Sequence, residues 1–499
     1  MAYCGYITTL KNVRPHPNAD RMLLADCFGN TVCVGLDSAE GEIGLYLPSD
    51  GQVSMEFAKE NNLLRLYDEN GHSIPGGGYL EPDKRNIKAI SLRGVKSDGI
   101  FLPISCLAYT GANLDDLNVG DTINVVNGHD ICQKYIPRGK AHRTQGSSNR
   151  TRKKKAPIAP LFVEHADTEQ LAYNLDAFRP GDEIEITLKM HGTSQRTAYV
   201  PVFKEWKCKN KLFDEFVKYT KDKFVSPFIH KCVEFAMRGA KPIYEWDYVS
   251  GTRRTVLDNY DGGFYGSNEF REQYHKFFEG KLWKGEEVYY EVVGYTHSGV
   301  PIMATGNTPK EYIKEYGKKM EFSYGCSPIG EGEPIDYWDD EKTQPCIVPI
   351  LPISDIYVYR MTMTNEDGDV VEYTPDFMRY RCEQMGVKTV PVFARGYIDY
   401  EGVYTTRTDN YPYAYAHETE CVGDTVKHIA EMFYDGPDPI GKTHIREGVV
   451  VRILNRPKFT AYKHKNWCFK VVEGLVKESA EAPDMEEADG LNEEVVDSN

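Results

Sequence analysis

No Cys-x-x-Cys pair occurs among the twelve cysteines, which are scattered from Cys4 to Cys468. Their spacing therefore suggests neither a structural zinc site nor a disulfide framework, and the thiols are expected to be reduced. No apolar stretch reaches the length of a membrane span. The start, Met1-Ala2-Tyr3-Cys4-Gly5-Tyr6, has no basic region followed by an apolar run, as a secretory leader would. These absences predict a soluble, cytoplasmic chain with no membrane partner. No repeat of solenoid period is present, and at 499 residues the chain is long enough for two to four domains with sizeable cores.

Positive charge is also in deficit, with a formal net charge of −16. On its face this disfavours a nucleic-acid partner, but the charge is segregated. Residues 478–497 carry nine acidic residues and no basic one. With few large apolar groups, this end cannot repay the entropy of ordering, so a disordered tail is expected over 476–499. Residues 138–155 carry eight Lys or Arg and no acid, interleaved with Gly, Ser, Thr and Asn. They read as a flexible basic linker within 127–156. Its Lys153, Lys154 and Lys155 fit sequence-blind phosphate contact; a bland soluble hinge and a nuclear localisation run are the other readings.

Residues 1–126 are dense in short β-type runs, at 5–10, 22–27, 31–34, 43–47, 87–92, 100–104 and 122–126, with a hairpin signal at Gly29-Asn30. Many short strands with such punctuation suggest a small barrel. After the linker, Asp167-Thr168-Glu169-Gln170-Leu171 offers a helix start. A second is expected at Thr308-Pro309-Lys310-Glu311, with Thr as N-cap and Pro at the first helical position. The mixture over 157–475 reads as one large α+β domain.

The alternating run Glu183-Ile184-Glu185-Ile186-Thr187-Leu188 ends in Lys189-Met190-His191-Gly192-Thr193-Ser194, which puts an amine where strand meets turn. A lone Lys-x-x-Gly string also fits a solvated strand end. Downstream, four further β-reading stretches follow in order: Glu291 in Val288-Tyr289-Tyr290-Glu291-Val292-Val293-Gly294, Tyr359 in Tyr357-Val358-Tyr359-Arg360, Glu447 in Arg446-Glu447-Gly448-Val449-Val450, and Lys463 with Lys465 in Tyr462-Lys463-His464-Lys465. Alternation places both of these lysines on one strand face.

In this order the strings resemble the motifs of covalent nucleotidyltransferases, the superfamily of ATP-dependent RNA ligases, DNA ligases and mRNA capping enzymes. The wording His-Gly-Thr after the lysine looks most like the RNA ligases that seal nicks or splinted junctions. His16-Pro17-Asn18-Ala19-Asp20-Arg21 and Leu92-Arg93-Gly94-Val95-Lys96-Ser97-Asp98-Gly99-Ile100 resemble OB-fold tRNA-binding modules and the OB domain at the front of one RNA-ligase branch. By themselves His16 and its flanking prolines also fit a fixed loop.

The resemblance implies an OB-type barrel followed by a nucleotidyltransferase domain of antiparallel sheets and helices. It implies that Lys189 takes AMP from ATP, and that His191, Gly192, Arg196, Glu291, Tyr359, Glu447, Lys463 and Lys465 surround the nucleotide. Glu291 would meet the ribose, Tyr359 would stack on adenine and the two lysines would grip the α-phosphate. Glu447 would hold magnesium, or manganese in its place, or else orient Lys189. Arg253 and Arg254 are candidates for the 5′-phosphate strand, as is Arg196, and Arg360 stands where many relatives carry Asp. A lysine nucleophile must shed its proton, which burial or neighbouring positive charge favours. The implied partners are RNA or RNA/DNA hybrid ends, acted on by a monomer without an evident protein partner. Two other readings stay open: a non-catalytic RNA-binding protein, and a GTP-using guanylyltransferase.

Overall fold

The computed structural model describes residues 3–49, 51–68, 72–74, 77–135, 158–165, 168–208, 240–253, 255–257, 260, 268–328, 351–404, 414–415, 419 and 421–472, with 210, 212, 215, 217 and 219 besides. The basic run with Lys153, Lys154 and Lys155, the acidic tail and Arg254 lie outside these residues.

The alternation that marks the lysine run decides the larger half of the fold. Ile184, Ile186 and Leu188 are at most 2% exposed and turn to one core, while Glu183, Thr187 and Lys189 face the other way. Glu183–Lys189 is the central strand of a seven-stranded sheet ordered Glu169–Gln170, Thr460–Lys465, Gly448–Ile453, Glu183–Lys189, Val392–Ile398, Gly402–Tyr404, Ala414–Tyr415. Helix Val422–Phe433 covers its apolar face through Val422, Val426, Ile429 and Ala430.

A second sheet runs Val256–Leu257, Lys241–Gly251, Thr193–Lys207, Glu286–Gly294, Ser354–Thr364, Val370–Glu372, with Lys388–Thr389 paired in parallel to Ser354–Thr364. Glu286–Gly294 is buried throughout. It nevertheless carries three acids, and each of the two that open it meets an arginine. Glu286 takes a bidentate pair from Arg381 at 2.7 and 2.8 Å and a hydrogen bond from the Tyr373 hydroxyl at 3.0 Å. Glu287 accepts from Arg196 at 3.1 Å and from the Val163 amide at 3.1 Å. Burial still pushes the Glu287 carboxyl up to about 7, so this pairing only partly offsets desolvation.

The expected α+β mixture is what the chain forms, but several local expectations are corrected. The N-terminal unit holds a four-stranded sheet (Ile100–Pro103, Ile43–Leu47, Gly5–Thr9, Thr122–Ile123) and a three-stranded meander (Lys11–Pro15, Leu23–Cys27, Asn30–Val34). Strand pairing does not join these into a closed barrel among the described residues. The unit also continues past 126, since Cys132–Lys134 pairs with Gly51–Val53. The hairpin turns one residue earlier than expected, on Phe28 and Gly29 at φ 51° and 73°, two left-handed residues that match the strand twist.

Residues 169–170 are a strand rather than a helix start, because they pair in parallel with Tyr462 and Lys463. At Thr308-Pro309 the helix signature fails: the Thr308 hydroxyl donates to the Lys318 carbonyl at 3.1 Å, and helix forms only over Ile313–Tyr316. The same signature succeeds at Thr374-Pro375, where the Thr374 oxygen accepts from the Phe377 amide and Gly386 closes the helix Pro375–Met385 at φ 73°.

Arg381→Met should lower stability by ~3–5 kcal/mol by leaving the Glu286 carboxylate buried without its cation. Urea unfolding at unchanged slope is the check. A loss below about 1 kcal/mol would mean that Glu286 is compensated by other groups.

Candidate active site

Three strands bring the chemistry together. In register, Lys189 lies opposite Gly448, and Gly448 lies opposite Lys465. The next row on the same face is Thr187, Val450 and Lys463. Lys189, Lys463 and Lys465 therefore share one face of one sheet, as alternation predicts. The middle position must be glycine. Gly448 has φ 152°, and a Cβ there would stand 2.1 Å from the His464 carbonyl oxygen and 2.8 Å from the Lys465 Cα.

The preceding residue, Glu447, turns its carboxylate into this row with its side chain fully buried. Oε1 lies 2.7 Å from Lys189 Nζ and 3.1 Å from Lys465 Nζ, and Oε2 lies 3.4 Å from His191 Nδ1. Burial alone would push this carboxyl up. The Lys189 and Lys465 ammonium groups and His191 outweigh it and hold the group well below the usual carboxylate range. Two cations on one anion leave the trio with net charge of about +1, a setting suited to a phosphate and one in which losing the Lys189 proton leaves a neutral pair.

His191 belongs to the same arrangement. Its ring sits edge-on to Phe322 and Phe469, at 4.6 and 4.7 Å between centroids, and its amide donates to the Tyr324 hydroxyl at 2.7 Å. Gly192 permits a close crossing of strands: a Cβ would meet the Val292 carbonyl at 2.4 Å and Glu291 Cγ at 2.8 Å. Glu291 is thereby held beside the turn that follows the lysine.

Tyr359 lies near Glu291 for a reason that alternation alone does not reveal. Tyr289 pairs with Arg360 and Tyr290 with Val358, so Tyr359 is the extra residue of a bulge. Bulges re-aim side chains, and this one leaves Tyr359 half-buried between buried neighbours. Its hydroxyl hydrogen-bonds with the Ser194 hydroxyl at 3.0 Å, and its ring lies 5.2 Å from that of His165. Burial and the Glu291 charge raise its pKa, while Ser194 and Arg253 oppose them, which places the Arg253 cation within electrostatic reach of the same ring.

Two arginines are committed to carboxylates elsewhere. Arg196, expected at the nucleotide or the 5′-phosphate, is 2% exposed and committed elsewhere. It donates to the Thr252 carbonyl (2.9 Å), the Val163 carbonyl (2.6 Å) and Glu287, and it stacks over Phe162 at 3.7 Å. Arg360 forms a bidentate pair with Glu372 between the rings of Tyr289 and Phe459. Conversely, the sequence reading passed over Ser194, Tyr324 and Arg271. Arg271 donates to the Ser194 carbonyl at 3.0 Å and the Thr193 hydroxyl at 2.5 Å, fixing the strand that leaves the lysine turn. The Thr193-Ser194 hydroxyls were the available signal.

The metal role expected of Glu447 does not fit this geometry. Its Oε1 is already flanked by two ammonium groups, which would repel a divalent cation bound there, so the orienting role is the one the arrangement supports. Among the described residues no group of three or more His, Cys, Asp or Glu side chains is placed to hold a metal ion.

No protein-family model matches the chain, and no curated protein matches it. Among solved structures, the Naegleria gruberi RNA ligase with PPi is 15% identical at a TM-score of 0.49, over 93% of this chain and 96% of that one. A lysine-to-alanine variant of that ligase with ATP and Mn is 14% identical at a TM-score of 0.48, over 94% and 97%. A glutamate-to-alanine variant with AMP and Mn is 13% identical at 0.48, over 93% and 97%. Likeness at this level carries no functional argument, which rests instead on the geometry above.

Glu447→Gln should lower stability by about 3 kcal/mol near neutral pH, because two ammonium groups lose their shared anion. A depressed carboxyl contributes stability that is full above its unfolded pKa. The gap to the wild type should therefore hold down to the ordinary value of 4.5 and close as pH falls further. Thermal melts of both proteins across this range provide the measurement, and a gap that widens in acid would contradict the assignment.

Proposed function

We propose that the chain is an ATP-dependent RNA ligase that joins a 3′-hydroxyl to a 5′-phosphate through a lysyl-AMP. The observation that carries this reading is the row Lys189, Gly448, Lys465 with the buried Glu447 carboxylate serving both amines. An amine held by a carboxylate beside a second cation is what covalent capture of a phosphoryl group requires.

The lone pair of neutral Lys189 Nζ attacks the α-phosphorus of ATP. A nitrogen–phosphorus bond forms, the bond to the bridging oxygen breaks, pyrophosphate leaves with that electron pair, and the lysine proton goes to solvent. Glu447 orients the amine, and Lys465 with Lys463 balances the charge that grows on the α-phosphate oxygens. An oxygen of a 5′-phosphate then displaces the lysine and takes the AMP. Finally a 3′-hydroxyl attacks the activated 5′-phosphate, forming the phosphodiester and releasing AMP. All three are in-line transfers that depend on positioning and electrostatics.

Tyr359 offers its half-buried ring to adenine, a contact worth roughly 1–3 kcal/mol, with Glu291 beside it for the ribose. Bound with ATP, magnesium or manganese supplies charge neutralisation of the triphosphate, held by phosphate oxygens and water more than by protein. Arg253, together with Arg254 and the basic run at Lys153, Lys154 and Lys155, is assigned to the nucleic-acid strand. The N-terminal unit is read as an OB-type module. The preferred substrate is a nick or splinted duplex with RNA on the 3′-hydroxyl side, including RNA/DNA hybrid ends, and the protein acts as a monomer.

Incubation with magnesium and α-labelled ATP should label the wild type and leave Lys189→Ala unlabelled. Label retained in the variant would remove the central claim. Label from GTP instead of ATP would favour a guanylyltransferase, and label from neither, in folded protein not already carrying AMP, would favour RNA binding without catalysis. Because the nucleophile must be neutral, labelling of the wild type should quicken between about pH 6 and about pH 9. A rate independent of pH over that interval would place proton loss elsewhere.

A further inference from the structure

The strand that presents Lys463 and Lys465 is weakly anchored by its own sheet. Thr460–Lys465 has one full antiparallel neighbour, Gly448–Ile453, and on its other side only the two-residue parallel strand Glu169–Gln170. Beyond the Glu447–Lys465 ion pair and the packing of Phe178 on Tyr462, the N-terminal unit touches the elements around the strand in three places.

The first contact is lateral. Directly after Glu169–Gln170, Tyr173 inserts its ring among Tyr6 (4.6 Å, stacked), Phe28 (5.3 Å, edge-on) and Tyr46 (6.3 Å) of the N-terminal unit. The second lies beneath the strand. His464 alternates with the two lysines and so points to the opposite face, where its ring stacks on Tyr434 at 5.1 Å and Nε2 lies 3.4 Å from Glu431 Oε1. Glu431 is 3.7 Å from Lys427, whose ammonium donates to the Phe28 carbonyl at 3.3 Å, in the hairpin turn of the N-terminal unit. The third follows the strand. In helix Trp467–Val472, Lys470 pairs with the buried Asp98 carboxylate, and the Lys96 ammonium lies over the Trp467 ring at 5.3 Å.

Asp98 and Lys96 belong to Val95-Lys96-Ser97-Asp98-Gly99, within one of the two strings that suggested an RNA-binding module. The other string meets it internally. His16 accepts from the Asn18 amide at 3.0 Å, its second ring nitrogen lies 3.2 Å from the Leu92 carbonyl, and Asn18 donates to the Arg93 carbonyl at 2.8 Å. Together the strings build a turn that delivers Lys96 and Asp98 to the helix following the lysine strand.

We propose that the N-terminal unit is a clamp that sets the strand Thr460–Lys465, acting through Lys427, Lys470 and Tyr173 as positioning residues for Lys463 and Lys465. The proposal rests on the ligase reading for its effect on catalysis. These residues touch no reacting atom. They restrain the strand before, beneath and after the two lysines, so that the ammonium groups meet a phosphate without reorganising. On this view the unit contributes to adenylylation itself, in addition to any grip on nucleic acid.

The test uses the full chain with Lys427→Met, Lys470→Met and the conservative Lys470→Arg. Backbone hydrogen exchange is followed across 460–465, with Glu286–Gly294 as the internal reference. Both methionine variants should exchange about tenfold faster across 460–465 with the reference strand unchanged. Their rate of lysyl-AMP formation at saturating ATP should fall about tenfold with KM nearly constant, because the lysines act on charge that develops in the transition state. Lys470→Arg should stay near the wild type in both respects. Unchanged exchange and labelling in both methionine variants would overturn the clamp, as would faster exchange of the reference strand in parallel. A wild type that takes no label from ATP would defeat the ligase reading alone. The exchange arm would still decide the clamp: faster exchange in Lys470→Met than in Lys470→Arg supports it, and equal exchange removes it.

Discussion

Burying one carboxylate beside two ammonium groups is the constraint from which the rest of the site follows. Taking Glu447 out of water costs several kcal/mol, and only close, well-placed cations offset such a cost. Those cations arrive from residues 189 and 465, on strands that flank the one following Glu447. The carboxylate is thus stable only when the neighbouring strands Gly448–Ile453 and Thr460–Lys465 are paired in one register with the distant Glu183–Lys189. A slip of a single residue would turn Lys189 to the apolar face and Ile184, Ile186 and Leu188 away from it. Register is consequently enforced twice, by the core on one face and by charge on the other.

Much of this was legible in the sequence because strand period and motif order make independent demands. The alternation before Lys189 fixes its face, and the Lys463/Lys465 alternation fixes theirs. Glu447 was recognisable from its place in the motif order, and the structure explains the glycine after it: no side chain fits against the His464 carbonyl. The failures were of a different kind. The helix expected near 168 yielded to pairing with Tyr462 and Lys463, whereas His16 sits in the fixed loop that its flanking prolines suggested. Local patterns compete with tertiary partners, and a two-residue strand leaves no periodic trace.

The arginines show the limit most clearly. The resemblance implied a phosphate ligand at Arg196 and set Arg360 where many relatives carry Asp. Each is instead consumed by a carboxylate, the buried Glu287 and the half-buried Glu372, and Arg381 by the buried Glu286. A signal existed in the Glu286-Glu287 pair opening a largely apolar strand, since two acids there require two cations. Tyr359 was named from its motif, but how it is aimed was not legible. Its aim depends on a bulge, and a bulge is a property of two strands together.

This partition of cations carries chemical meaning. An arginine stays protonated at any physiological pH and makes directional, bidentate pairs, which suits it to hold carboxylates in a core. A lysine can lose its proton and acts as a movable point charge, which suits it to attack phosphorus and follow a changing phosphate. The described site places lysines where charge must shift and arginines where it must stay. Such mobility has a cost, since a flexible ammonium is useful only on a backbone that does not move. The contacts of Tyr173, Lys427 and Lys470 fall around the strand that carries two of those lysines, and rigidity there is what converts mobile charges into a preorganised pair.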